Sequence, residues 1–425
     1  MLIRFRVTNF RSIYSEQSLE LTADAKDKTN LEQKSFVSGK SIIPPILKTS
    51  AIFGANASGK SNIVKAIQLM RNIVIASPYA KKQGLFATSP FMLSDSASKE
   101  PTSFGVVVLI DNIIYDYKFS FNKERIVSEK IDAYVTSYPR TLFERTYDEK
   151  TDRYEYKFGQ KFTGQKKIYE QTTRKDVLLL TNAVALNNEQ LRPLYSWFKD
   201  SLIILNEHEV PNSNLILRYS ENPEYKKELL SYLESADISI ADFEVKKNDN
   251  NVLVPVFTHK YGNTKANLNF DDESMGTRAL LLLSGIIFNS YSNPVTLIID
   301  ELERSLHPSI VEFIVRQFYN KNSCNNRSQL IFTSHCESLL CNVSKQHSRD
   351  SDDYSLFRRD QIWFVNKEFD QSSKLVPLLD YKPRKHESVF DGYRQGRYSG
   401  IPIISKFEIK KMIDINLNNF EEDSY

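Results

Sequence analysis

The sequence predicts an α/β fold with an antiparallel β subdomain and a helical insertion. Three observations carry that expectation. A strand–loop–helix pattern occupies residues 50–74, a block of alternating β-prone segments follows between residues 104 and 158, and a helix–strand–helix–strand run spans residues 274–333. Between the last two, residues 164–237 read as mainly helical, with no heptad run of the length a coiled coil needs.

The elements follow in order. Met1-Leu-Ile-Arg-Phe-Arg-Val-Thr-Asn9 alternates apolar and charged residues and reads as an edge or half-buried strand. It lacks the uninterrupted apolar stretch of a signal peptide. Ser50-Ala-Ile-Phe53 is a short β-prone run. After residue 61, Ile63, Val64, Ile67, Met70, Ile73 and Val74 keep the i, i+3, i+4, i+7 spacing of a helix with one buried face. Phe104–Ile110 and Ile113–Phe121 flank Asp111-Asn112, a two-residue hairpin turn. Further strands are expected at Ala133–Thr136 and Tyr154–Phe158. Helical pieces are expected at Val177–Leu180, Leu186–Tyr195 and Glu224–Leu233. The α/β character then returns, with helices at Ser274–Tyr291 and Ser309–Tyr319 and strands at Val295–Ile299, Gln329–Thr333 and Gln361–Val365.

Composition sets outer bounds. A chain of 425 residues has room for two or three domains, and 41% hydrophobic with 26% charged residues is ordinary for a soluble globular protein. A net charge of +3 demands neither a nucleic-acid nor a membrane partner. Cys324, Cys336 and Cys341 cannot all pair and lack metal-ligand spacing, which suits a reducing cytoplasm. The longest apolar run, Ala279–Leu283 with Ile286–Phe288, is broken by Ser284-Gly285 and falls short of the ~18 residues of a membrane span.

Residues Gly54 to Ser61 read Gly-Ala-Asn-Ala-Ser-Gly-Lys-Ser, a full match to the phosphate-binding pattern GxxxxGK[ST] between a strand and a helix. In that context the loop amides and the helix N-terminus converge on an anion. Gly54 and Gly59 let the backbone curl close to the phosphates, Lys60 neutralises the β/γ oxygens and the Ser61 hydroxyl can ligate magnesium. Asn56 and Asn62, in and beside the loop, join the expected nucleotide contacts. A chance glycine-rich turn is the bland alternative, and the flanking pattern outweighs it. Val295-Thr-Leu-Ile-Ile299 followed by Asp300-Glu301 describes a buried parallel strand with carboxylates at its C-terminal end, where α/β sheets place ligands. Asp300 is expected to hold magnesium through water, and Glu301 to act as general base on the attacking water.

Three further segments resemble those of ABC-type ATPases. Glu273-Ser-Met-Gly-Thr277 stands directly before a long apolar helix and is similar to the signature motif. There a Ser and a Gly at a helix N-terminus grip the γ-phosphate held by the opposite subunit; Ser274 and Gly276 take those positions, although a plain N-cap Ser would look the same. Leu302-Glu-Arg-Ser-Leu-His-Pro308 looks like the loop that crosses the dimer interface in that superfamily. Phe332-Thr-Ser-His335 ends a strand with a histidine, as the switch histidine does. Asn9-Phe-Arg-Ser12 resembles the Asn-Phe-Arg/Lys-Ser stretch of the SMC-like branch, which implies a place near the nucleotide for Arg11. Two features depart from the transport pattern: Met275 and Thr277 replace its usual Gly and Gln, and no glutamine loop is evident, although Gln83 is available.

The chain lacks the coiled coil of SMC proteins, and only about forty residues follow Tyr381, too few for the Toprim nuclease domain of the overcoming-lysogenization-defect enzymes. The resemblance over nearly the whole chain is to the RloA-like group of compact bacterial ATPases of restriction or phage-defence loci. Beyond the ATPase motifs it is carried by Arg358–Phe364, Tyr381–Arg384, Gly392–Tyr398 and Ile401-Pro402. This resemblance implies an ABC-type ATPase head that dimerises around two ATP molecules with magnesium, and a separately encoded effector partner, commonly a nuclease, in antiphage defence. Acting directly on nucleic acid, as a repair or translocation ATPase, is one alternative; a nucleotide-gated scaffold with little turnover is another. The expected division is an N-terminal lobe at 1–160, a mainly helical insertion at 161–260, a C-terminal lobe at 261–381 and a tail at 382–425. That tail interleaves basic and aromatic residues, which suits either a partner surface or packing onto its own head.

Overall fold

Strand Thr49–Phe53, which leads into the phosphate loop, lies inside a six-stranded sheet. The computed structural model describes all residues except 29, 41, 77–88, 207–221, 248–250, 252, 320–324, 344–354, 385–386 and 402–425. The sheet order is Leu202–Leu205, Thr296–Ile299, Gln329–Ser334, Thr49–Phe53, Ile362–Lys367 and Ser373–Pro377. The first five strands are parallel and the last is antiparallel to its neighbour.

Both faces of this sheet are covered, so its central strands are buried at every position. Alternate side chains serve two separate cores. Ile52, Ile298, Ile331 and Trp363 point to one side, where helix Lys60–Ala76 packs through Ile63, Ile67 and Met70. Phe53, Leu297, Leu330 and Phe364 point to the other, against helices Met275–Ser292 and Pro308–Gln317. Each such side chain contributes roughly 1.5–3 kcal/mol on burial, which commits the strands to this register.

A second, seven-stranded antiparallel sheet covers the first core. Its strands are Arg153–Phe158, Arg140–Asp148, Ile126–Tyr134, Ile113–Phe121, Thr102–Ile110, Leu2–Thr8 and Gln17–Glu20, in that spatial order. Asp111 and Asn112 both have positive φ, as a two-residue primed turn requires, and join their hairpin as expected. Leu2–Thr8 is an interior strand between two neighbours rather than an edge. Its charged residues find partners across the ladder: Arg4 pairs with Glu20, and Arg6 with Asp116.

The helical stretch is more broken than its apolar pattern suggested. Helix Leu179–Ala185 ends early, a turn follows, and a short helix Arg192–Ser196 runs into a wider turn and then strand Leu202–Leu205, which edges the central sheet. Glu129 ties this region to the antiparallel sheet. Its buried carboxylate accepts from the amides of Leu179 and Leu180, at 2.6 and 2.9 Å, and so satisfies a helix start that has no cap of its own. Burial raises its pKa, an effect opposed by Arg145 and by those hydrogen bonds. Helix Pro223–Ser235 is capped by Asn222. Asp242–Lys247, Leu253–Tyr261 and Thr264–Asn269 then form a three-stranded sheet that leads into the Ser274 helix. Periodicity did not foretell this sheet, because most of its positions are exposed and carry little apolar alternation.

The described part of the tail packs onto the head. Tyr393 and Tyr398 each stack on Phe364 of the central sheet, with ring centroids 5.4 and 5.5 Å away. Tyr398 is fully buried and its hydroxyl donates to Glu387 at 2.7 Å. Of the two readings of the tail, packing holds as far as residue 401. Among the described residues no helix is long and apolar enough to cross a membrane, and Cys336 is a free thiol. Cys324 and Gln83 lie outside the described residues.

Candidate ATP site

The phosphate loop takes its shape from close backbone approaches. Gly59 has φ +107°, in the region that favours glycine, and a Cβ there would lie 2.1 Å from Ser373 Oγ and 2.8 Å from Ser12 Oγ. Those two hydroxyls are 2.7 Å apart. Ser373 donates to the Ser58 carbonyl at 2.6 Å, and Asn62 donates to Ser12 at 2.6 Å. The loop is therefore clamped from the N-terminal segment on one side and from the last sheet strand on the other.

Lys60 begins the following helix and is buried. Its ammonium donates to the carbonyls of Gly54 and Ala55, at 2.8 and 3.0 Å, and lies 3.3 Å from His335 Nδ1. Burial pushes its pKa down to about 8, against the opposing pull of Glu301, Asp300 and Glu303. An ammonium can only donate, so Nδ1 of His335 accepts, and a neutral ring then carries its proton on Nε2. Nε2 faces Glu301 Oε1 at 3.5 Å. Lys60, His335 and Glu301 thus form a line from the phosphate loop to the second carboxylate.

That carboxylate pair is held by a residue the sequence reading passed over. Thr333 Oγ1 donates to Asp300 Oδ1 at 2.6 Å and accepts from the Glu301 amide at 2.8 Å. The bond steadies Glu301 in a left-handed conformation, φ +55°, which non-glycine residues seldom adopt and which recurs at functional positions. The signal was within reach, since Thr333 lies in the same Phe332–His335 stretch that drew attention to the histidine. Asp300 is buried, and its Oδ2 has no hydrogen-bond partner. An orphaned carboxylate oxygen close enough to Lys60 to raise its pKa fits a divalent cation, for which Ser61 offers the second oxygen.

Most expected contact residues converge. A cavity of about 810 Å³ is lined by Asn56, Gly59, Lys60, Ser61 and Asn62 of the loop. Glu301 and His335 border it from the neighbouring strand ends, and Arg11 from the N-terminal segment. Asn9, quoted only as part of the Arg11 motif, shapes the far wall: its side chain accepts from the Phe91 amide at 2.9 Å and donates to the Ala97 and Glu100 carbonyls. Met92 and Leu93, both largely exposed, line the cavity as well, as do Lys367 and Gln371. None of these four was singled out from the sequence.

Ser274 and Gly276 do not join this cavity. Ser274 caps the 18-residue helix Met275–Ser292, accepting from the Thr277 amide at 3.1 Å, so the plain N-cap role is real. Ser274 and Met275 are exposed, Met275 by 66%. Gly276 has a reason of its own within the chain: a Cβ there would lie 2.8 Å from the Ser305 carbonyl oxygen, in the loop that follows Glu301. A bulky residue at Gly276 would disturb that loop, so such a substitution cannot be confined to a neighbouring subunit.

A parallel sheet with a phosphate loop at one strand end, an Asp-Glu pair two strands away and a covering antiparallel sheet define a P-loop ATPase head of the ABC-type fold class expected from the sequence. More particularly, residues 50–340 match the family described as "AAA domain, putative AbiEii toxin, Type IV TA system", and the chain belongs to that family. No curated protein matches the sequence. Among solved structures the chain is similar to the SMC head domain from Thermotoga maritima, at 13% identity over 88% of this chain and 98% of that one, with a TM-score of 0.39. It is also similar to the SmcHead bound to the C-winged helix domain of ScpA, at 14% identity over 88% and 96% of the two chains, with a TM-score of 0.38.

Proposed function

We propose that the chain is a cytoplasmic ATPase that closes as a homodimer around two ATP–magnesium complexes and controls a separately encoded effector, a nuclease, in antiphage defence. One observation carries the ATPase reading: Lys60, Ser61, Glu301 and His335 border one cavity, and the residue before Glu301, the buried Asp300, keeps one carboxylate oxygen without a hydrogen-bond partner. Magnesium, when bound, supplies positive charge to the β- and γ-phosphates. Asp300 and Ser61 would hold it, Lys60 and the loop amides would hold the phosphates, and Arg11 lines the same cavity. Glu301 takes a proton from the attacking water, and His335 orients that carboxylate through its Nε2 proton. Ser274 and Gly276 act on the partner's γ-phosphate. In support, the Ser274 end of its helix is exposed and apart from the chain's own cavity.

The family description names a toxin–antitoxin system, which supports work alongside a second gene product. Tyr393 and Tyr398 are buried against the head and are not offered to any partner, nucleic acid included. Light scattering tests the dimer. Glu301→Gln should bind ATP, fail to turn it over and elute at twice the monomer mass. Unchanged mass with ATP bound would remove the dimer, and wild-type turnover would remove Glu301 as base. Phage plating with Glu301→Gln in place of wild type tests the defence role.

A further inference from the structure

Glu303 stands two residues beyond Glu301 and reaches the backbone of the histidine at the end of the neighbouring strand. Beside the side-chain contact of His335 with Glu301, four hydrogen bonds among the described residues join the segment after strand Thr296–Ile299 to the end of strand Gln329–Ser334 and the histidine that follows. Three converge on Thr333: its hydroxyl binds Asp300 and the Glu301 amide, and its carbonyl accepts from the Leu302 amide at 3.2 Å. The fourth reaches past the strand end, where Glu303 Oε1 accepts from the backbone N–H of His335 itself. Of the four, it is the one that holds the backbone of the histidine itself.

The surroundings suit a clamp rather than a surface ion pair. Glu303 is partly buried, and its second oxygen is enclosed without a partner. It stands close enough to Lys60 to act on its charge. A hydrogen bond from a backbone amide to an ionised carboxylate is stronger than one between neutral groups. The residue at the other end of this bond is the one whose ring lies between Lys60 and Glu301, 3.3 and 3.5 Å away. Small displacements of the His335 backbone therefore become displacements of both ring contacts. Glu303 also sits two residues before Ser305, whose carbonyl abuts Gly276 at the start of the Ser274 helix.

We propose that Glu303 is a positioning residue for hydrolysis, holding the His335 backbone so that the imidazole spans Lys60 and Glu301. The proposal rests on the ATPase reading above, and two measurements keep the two apart. The first needs no turnover. In nucleotide-free protein, ¹⁵N spectra of the histidine rings, with the His335 signals identified by their loss in His335→Asn, should show one tautomer with the proton on Nε2. Glu303→Ala should convert that signal to a mixture of tautomers with the fold intact by circular dichroism. Glu303→Gln, whose amide oxygen can still accept, should keep the Nε2–H form. An unaltered His335 signal in Glu303→Ala overturns the proposal whether or not the protein hydrolyses ATP.

The second is steady-state kinetics. Glu303→Ala should lower kcat by between about 10- and 100-fold, the effect of misplacing a reacting group by up to an ångström, with KM held within about threefold. Glu303→Gln should recover most of that loss. Equal loss in both variants would mean that the negative charge matters and the clamp does not, which also overturns the proposal. Wild-type protein without turnover, but with the tautomer change intact, would count against the ATPase reading alone.

Discussion

Lys60 offers a prediction whose size follows from its surroundings. Burial holds its pKa at about 8 in the nucleotide-free chain, well below the 10.5 of an exposed lysine. Triphosphate oxygens beside it favour the charged form and return it toward its ordinary range, so the complex binds more protons than the free protein. Affinity must then fall as pH rises through about 8. With a free-state pKa of about 8, roughly 0.1 proton is taken up per ATP bound at pH 7 and roughly 0.75 at pH 8.5. Between pH 7 and 9 the observed affinity should drop about tenfold, equivalent to about 1.4 kcal/mol. Titration calorimetry of Glu301→Gln in buffers of different ionisation enthalpy reads the uptake directly, without turnover. The terminal phosphate, with a pKa of about 6, is ionised throughout the upper range and adds little there. Lys60→Arg supplies the control, because its guanidinium stays charged at these pH values and its uptake should vanish. An affinity that is flat from pH 7 to 9 with no proton uptake would refute the assignment of a desolvated Lys60 to the phosphate site.

Three other outcomes are expected. Met275→Arg places a large charge on an exposed position beside Ser274 and should abolish turnover while sparing ATP binding to the monomer. Mixed with Lys60→Ala, which should not bind ATP, it should restore part of the activity through heterodimers with one complete site, and a mixture as inactive as its parents would remove action in trans. Thr333→Val should keep the fold at a cost of about 1–3 kcal/mol, because Asp300 and the Glu301 amide lose a partner in a buried place, and should weaken the response of turnover to magnesium; denaturant melts and a magnesium titration check both. Tyr398→Ala should destabilise the head by about 3–5 kcal/mol, as removal of a buried aromatic does, and a thermal midpoint equal to wild type would show that the tail does not belong to the core.

Much of the candidate site was legible because its parts are contiguous. The loop residues Gly54–Ser61, the carboxylates behind an apolar strand and the histidine behind the next strand each announce themselves within a few positions. Their convergence in one cavity follows once those strands lie parallel with their C-terminal ends together. Helix Lys60–Ala76 was equally plain, since one face of it is apolar over its whole length. The stretch around residues 186–195 was misread because Leu191 and Leu194 are buried from a turn and a short helix, and burial alone produces an apolar spacing that mimics a continuous helix. Gly276 illustrates a subtler limit. Its place in a signature-like motif suggested only a role toward another subunit, whereas its own chain already leaves no room for a side chain there.

By itself, then, the sequence determined the phosphate loop, the order of the chemical groups along the chain and the class of sheet they occupy, because strand and helix periodicity and loop chemistry act over a few residues. Only the tertiary structure decided which distant residues meet: Ser12 and Ser373 on either side of Gly59, Glu303 against the His335 amide, Ser305 against Gly276, and the tail tyrosines on Phe364. Those contacts depend on the strand order of the sheet and on the path of loops between strands. Both are set by the joint packing of two cores, a property of the whole chain that no local pattern records.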